Sequence, residues 1–327
     1  MCAQRSTRVP RDASSSPVRQ RFTAALDALV AQVKDDRSIL AAILCGSLSH
    51  DTVWSKSDID LVLITDDGQH AKRTSATIDA AGIPVHAVLF SRGEFRKAAE
   101  GALHNSFIHS FVAKGTLLFT HDPTIADLHA RLRVIGDRDT KVQLLRAAGG
   151  ALGSIDKAHK WLITRGDLDY AALWILYAAT SIARLEIVQR KLLADREVIP
   201  QAAALNPELF RVIYSDLLNT RKTKANVARA LEALDRYMRD RAETVFALVL
   251  EHLEEVGEAR SCTELEDHFK RHFDIADVIG PCEYLAAEGL IGKASLPLRL
   301  TRTSTVAVQE LAFFAVDRRD RGVEGAG

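Results

Sequence analysis

Cysteine is scarce and scattered. The four residues, Cys2, Cys45, Cys262 and Cys282, lie far apart. No pair has metal-ligand spacing and nothing suggests a disulfide framework. Cys45 sits in an apolar run and reads as a small core residue. This usage points to a reducing, cytoplasmic compartment. An excess of either charge is also missing: 43 Lys and Arg balance 43 Asp and Glu. That argues against a chain built to grip nucleic acid along its whole length, though a local basic face remains open. No run of about twenty apolar residues occurs, so no transmembrane helix and no membrane partner are expected. The first twenty residues are rich in Arg, Ser and Pro and lack the continuous apolar core of a secretory signal. Residues 1–20 and the charged, Gly-rich residues 317–327 are expected to be disordered tails.

What is present is an ordinary globular composition, 47% hydrophobic and 26% charged over 327 residues. That length leaves room for two or three domains. The organising stretch is Gly46 to Leu61, GSLSHDTVWSKSDIDL. It joins two apolar runs, 39–45 and 60–65, each suited to a buried strand. Alternate side chains of a strand share a face, so Asp58 and Asp60 point the same way and Ile59 points to the other. Two adjacent carboxylates repel unless a cation lies between them. Hard oxygen ligands at this spacing suit Mg²⁺, which takes one or two carboxylates plus substrate phosphates. Gly46 allows close approach of the backbone to a phosphate, and Ser47 adds a hydroxyl and an N–H.

Gly-Ser, a loop and Asp-x-Asp, with Ser47 eleven positions before Asp58 and with Ser57 preceding it, resembles the signature of the polymerase-β-type nucleotidyltransferase superfamily, in its minimal, antibiotic-nucleotidyltransferase-like form. The resemblance implies transfer of a nucleoside monophosphate from a nucleoside triphosphate, taken to be ATP, to an acceptor hydroxyl. Mg²⁺ or Mn²⁺ would assist, held by Asp58 and Asp60. Gly46, Ser47, Ser57 and Lys56 would contact the nucleotide. The acceptor is open between a small molecule and a macromolecule. The family pattern places a third carboxylate on the next strand, and the alignment of Ile83 to Phe90, IPVHAVLF, puts His86 there. Imidazole is a poor Mg²⁺ ligand but suits softer metals. His86 is therefore a general base, a ligand for a softer metal, a mark of lost turnover, or a structural residue. The alternative function is a catalytically impaired nucleotidyltransferase fold acting as a nucleotide-binding or DNA- or protein-binding regulator. Within the loop, His50 and Lys56 suit either solvation or phosphate contact. Trp54 is expected to anchor the loop rather than to stack on a base, and Arg92 is expected to lie on the surface.

The expected fold class is α+β: a small mixed-sheet nucleotidyltransferase domain over 21–124, an α-helical bundle over 125–241 and a winged-helix-like module over 242–316. In the first domain, 21–33 predicts a helix, 69–80 a polar helix ended by Ala81-Gly82, and Ser91 with Glu94 a capped helix start. Residues 105–113 predict a helix and 115–119 a short strand. In the bundle, 144–163 and the wide apolar stripe of 169–193 predict helices, the second central. Gly149, Gly150 and Gly153 weaken the first helix or allow close packing. Gly166-Asp167 before an Ala-rich helix resembles HEPN-type bundles. The Arg-x4–6-His motif of nuclease members is missing: His129 has no Arg in that window, and Arg260 and His268 stand too far apart. The bundle is carried over, without the nuclease. Lys157, Lys160 and Arg165 are placed to approach a nucleotide. In the last module a Ser261-capped helix, a helix over 275–290, a wing over 293–301 and a closing strand over 306–314 are expected. Its second helix carries Asp274, Asp277 and Glu283 without Arg or Lys, which favours packing or protein contact over DNA reading. A homodimer is compatible with the sequence.

Overall fold

The computed structural model describes residues 17–49, 53–68, 74–101, 111–133, 136–194, 197–301, 303, 305–306 and 308–316. Of the tail expected over 1–20, residues 1–16 lie outside these, while 17–20 are not a tail but the first turn of a helix that runs to Asp35. Residues 317–327, His50, and nearly all of the helix expected over 105–113 also lie outside. The chain divides into two compact units, Met1–Ile135 and Gly136–Gly327.

The first unit is a five-stranded mixed sheet. Its elements are α1 (Pro17–Asp35), β1 (Ile39–Cys45), α2 (Gly46–Ser49), β2 (Ile59–Thr65), β3 (Ser75–Ala80), β4 (Ile83–Ser91), α3 (Arg92–Gly101), β5 (Thr116–Thr120) and α4 (Pro123–Arg131). The strand order is β3-β4-β2-β1-β5. Strands β2 and β4 run parallel, and the other neighbours run antiparallel. One face is apolar: Ile59, Leu61, Val85 and Ala87 pack with Phe22, Leu26 and Leu29 of α1. Ser91 and Glu94 form the reciprocal cap read from sequence, Glu94 accepting from the Ser91 N–H at 2.8 Å and the Ser91 hydroxyl accepting from the Glu94 N–H at 3.2 Å.

Two expectations change here. The helix read over 69–80 is, where described, the strand β3. Ala81 and Gly82 both have positive φ, 52° and 77°, and form a two-residue hairpin rather than a helix stop. Asp79, expected near a helix end, lies on β3 and accepts from the Gly82 N–H at 2.9 Å. The alternating Ser-Ala-Thr-Ile-Asp-Ala suits an edge strand, and pairing with β4 overrides its weak polarity-based helix pattern. The first unit also runs past residue 124. Ile125 and Leu128 of α4 are buried, and His129 Nε2 lies 2.9 Å from the Val112 carbonyl.

The second unit opens with a helical hairpin, α5 (Asp137–Arg165) and α6 (Leu168–Gln189). Gly166 ends α5 in the left-handed conformation at φ 64°, and Asp167 caps α6 by accepting from the Tyr170 N–H at 2.9 Å. The wide stripe of α6, including Ala171, Ile175, Ala178 and Ile182, is fully buried. By length and composition α6 could cross a membrane, but most of its apolar window is buried inside the unit, as in a core helix. Val198–Leu205 and the helical turns of 207–219 lead to α7 (Lys224–Arg239) and α8 (Ala247–Val256).

The chain then continues as β6 (Arg260–Ser261), α9 (Cys262–Phe273), α10 (Ile279–Ala287), β7 (Ile291–Leu298) and β8 (Val308–Ala315), with sheet order β6-β8-β7. Ser261 and Glu264 form a capping box on α9. The helix expected over 275–290 is shorter, because Asp274 and Asp277 adopt positive φ and turn the chain before α10. Phe269, Cys282, Leu285 and Phe313 share one apolar core with the bundle, so this segment lies in the same compact unit.

His252 of α8 stacks on His268 of α9 with ring centroids 3.8 Å apart, and His272 lies 4.6 Å beyond His268. Burial, then His252, His272 and Arg271, push the His268 imidazole down to about 4. The folded state thus resists a proton that the unfolded chain accepts near 6.5. Stability of this unit is expected to be full above that value and to fall as pH drops toward 4. Denaturant midpoints of wild type and His268→Gln across pH 7 to 4 check this: the variant should show the shallower loss.

Candidate functional site

The site is one rung of the first sheet. Cys45 of β1 pairs with Asp60 of β2, Asp60 pairs with His86 of β4, and His86 pairs with Thr77 of β3. Residues on one rung project to the same side. Asp58, two positions before Asp60, shares that side, while Ile59 between them is fully buried on the other. The expected alternation of Asp58, Ile59 and Asp60 is therefore present.

Chain reversal after β1 brings Gly46 over Asp60. Gly46 has φ 67°, and a Cβ there would lie 2.0 Å from Asp60 Oδ2. The carboxylate occupies the space a side chain would need. Glycine is thus required twice, by its backbone and by the close approach. Ser47 follows, half-buried in the single turn α2, which is closed by the Ser49 hydroxyl donating to the Gly46 carbonyl at 2.8 Å.

His86 is in register with Asp60, as the alignment expected. Its Nε2 lies 3.1 Å from Asp58 Oδ2, with the two side chains 51% and 45% exposed. Its Nδ1 lies 3.5 Å from the Thr77 hydroxyl. With the Nε2 proton donated to Asp58, the ring is held between a carboxylate and a hydroxyl. Burial, reinforced by the Asp60 charge, pushes the Cys45 thiol up to about 12. Cys45 is accordingly neither a thiolate ligand nor a nucleophile.

The remaining candidates divide. Ser57 closes a turn: its hydroxyl accepts from the Trp54 N–H at 3.1 Å, and its N–H donates to the Trp54 carbonyl at 2.9 Å. Trp54, expected as an anchor, is 59% exposed, because the turn projects the ring away from the core. The Lys56 ammonium lies 5.9 Å from its centroid. Arg92 lies at the far end of β4 from His86. It bridges Asp67 at 3.2 Å and Asp122 at 3.3 Å and so serves as a structural clamp. Thr77 escaped the sequence reading because residues 69–80 read as a helix. The alternating residues before Ala81-Gly82 were the signal for it.

A divalent ion suits part of this set. Two carboxylates on one face, open to solvent and beside a glycine bend, match the hard donors of Mg²⁺. The third position is an imidazole already bonded to one of those carboxylates, which does not. Among the described residues no group of three His, Cys, Asp or Glu side chains is arranged to hold a metal ion. The donors fit one ion completed by substrate oxygens and do not fit a three-carboxylate, two-ion centre.

No family model matches the chain, and no curated protein does. A crystal structure of a nucleotidyltransferase-like protein from Exiguobacterium sibiricum 255-15 is similar in fold, with TM-score 0.60 and 18% identity over 90% of this chain and 99% of that one. The covered share is too large for either unit alone. The chain thus has a nucleotidyltransferase-like fold of mixed α+β class, joined to a helical region.

Gly46→Ala is expected to displace Asp60 and to strain the backbone, costing about 1–3 kcal/mol. Comparison of denaturant midpoints with those of Gly68→Ala, whose Cβ would meet only Asp66 Oδ2 at 3.9 Å, checks it.

Proposed function

We propose that the chain transfers a nucleoside monophosphate from a nucleoside triphosphate, ATP by expectation, to an acceptor hydroxyl. The observation that supports this most is the rung itself: Asp60 seated against Gly46, with Asp58 and His86 on the same face. Asp58 and Asp60 would hold a single Mg²⁺ or Mn²⁺, which when bound would neutralise triphosphate charge. Gly46 and Ser47 offer the approach for the phosphates. Lys56 and the exposed Trp54, on the Ser57-closed turn just before Asp58, would meet the rest of the nucleotide. In the reaction the acceptor hydroxyl gives up its proton to solvent, its oxygen forms a bond to the α-phosphorus, the bond to the bridging oxygen breaks, and pyrophosphate leaves. His86 positions the Asp58 carboxylate and lowers the negative charge of the site. Thr77 in turn fixes the ring.

One observation favours a second reading. His86 paired to Asp58, at the position of a third carboxylate, is also what a site without turnover would show. A nucleotide-binding regulator, with DNA or protein contact through residues 242–316, then replaces the transferase. The helix–strand–helix–helix–hairpin order of that segment supports a winged-helix-like module, and its acidic turn before α10 supports a protein partner over DNA.

Labelled nucleoside triphosphates with Mg²⁺ or Mn²⁺ and candidate acceptors separate the two. Transfer by wild type that falls about a hundredfold or more in Asp58→Ala and Asp60→Ala is the outcome expected of an enzyme. Background transfer by all three, with nucleotide binding still shown by wild type, would leave only the regulator. His86→Asp is expected to raise the Mg²⁺-dependent rate if the site lacks a third oxygen ligand.

A further inference from the structure

The α5–α6 hairpin carries a row of aromatic rings, of which Trp161 and Trp174 pack partly on the bundle core while Tyr170 and Tyr177 lie outside it. Gly150 packs so closely on Ser181 that a Cβ would lie 3.0 Å from its hydroxyl. This sets an antiparallel register, and two further rungs follow. The Lys157 ammonium lies 4.2 Å from the Trp174 ring centroid, and Trp161 meets Tyr170 edge-on at 4.5 Å. Along α6 the rings continue from Tyr170 to Trp174 at 6.2 Å and to Tyr177 at 5.3 Å. Positions 170, 174 and 177 form one helical face, while Ala171, Ile175 and Ala178 form the buried one.

Aromatic rings recruited only for packing would be covered. Tyr177 is 54% exposed and Tyr170 38%. In the same register Gly153 falls opposite Ala178, one position from Tyr177, and a Cβ on Gly153 would meet open space. Lys157 and Lys160 lie on this face of α5, and the exposed Arg184 lies two turns beyond Tyr177 on α6. Of the nearby acids, Asp167 is engaged as the α6 cap, and Asp156 lies among His159, Asp235 and Glu283. Glu186 of α6 is buried and paired with Arg190, and Asp169 is exposed at the hairpin turn. The chain is neutral overall, yet this face is locally basic and aromatic.

Rings at helical spacing interleaved with Lys and Arg match the recognition of unpaired strands, in which bases stack and cations follow the phosphates. We propose that this face binds single-stranded nucleic acid, its bases against Tyr177 and Tyr170 and its phosphates against Lys157, Lys160 and Arg184. The proposal does not depend on the transfer reaction, because the second unit carries it by itself.

The full chain, titrated with fluorescein-labelled oligouridylate and oligothymidylate, tests it by anisotropy. In a Trp54→Phe background only Trp161 and Trp174 remain as tryptophan reporters. Their quenching on titration is expected, together with affinity that falls as salt rises. Tyr177→Ala is expected to weaken binding about tenfold with an unchanged circular-dichroism spectrum. Lys160→Glu should weaken it and flatten the salt dependence. Asp58→Ala/Asp60→Ala should bind like wild type, which separates this face from the nucleotide site. Absence of binding at low salt, or binding indifferent to both Tyr177→Ala and Lys160→Glu, overturns the proposal. So does a wild-type dimer that Tyr177→Ala dissolves without any oligonucleotide effect, since the face would then be covered by a second copy.

Discussion

A carboxylate pressed against a backbone is the constraint from which the first unit is best understood. Asp60 sits where any side chain at residue 46 would be, so the residue that follows β1 must be glycine and the chain must turn sharply there. That turn starts α2, places Ser47, and leaves the other face of β2 to pack against α1. The acidic side chains are tolerated in an apolar strand because they lie at its first positions, where the sheet face still opens to solvent. Two residues further on, Val62 and Ile64 on the same face are buried. Polarity and burial thus change over within one turn of the strand pleat.

The departure at His86 alters the electrostatics of this arrangement. Three carboxylates would leave a strongly repulsive cluster until cations arrived. An imidazole in the third place gives Asp58 a partner within the protein and lets the rung exist without one. The arrangement is better suited to a single ion shared with substrate than to a fixed metal pair.

Much of this was legible in the sequence because it rests on local signals. Gly46-Ser47, the alternation across Asp58, Ile59 and Asp60, and the register of IPVHAVLF all follow from strand periodicity. The two caps at Ser91 and Ser261 follow from a residue and its partner three positions on. Thr77 was hidden, since a polar edge strand resembles a polar helix until its neighbour is known. The short α10 was hidden too, because Asp274 and Asp277 carry no signal that they will adopt positive φ. Trp54 was misjudged for a related reason: an aromatic ring in a loop is usually buried, and only the Ser57 turn shows which way this one projects. The aromatic row of α5 and α6 was invisible for a different cause, since its register is set between two helices and not along either one.

The hairpin at Ala81 and Gly82 reaches further than its size suggests. Side chains of a strand change sides at every step, so the length of that bend decides the parity of the whole of β3. With two residues in it, the hydroxyl of Thr77 meets the imidazole. One residue more or fewer would present Ala76 or Ile78 instead and leave the ring to swing. The seating of the His86 ring is therefore governed by a bend that lies outside the rung.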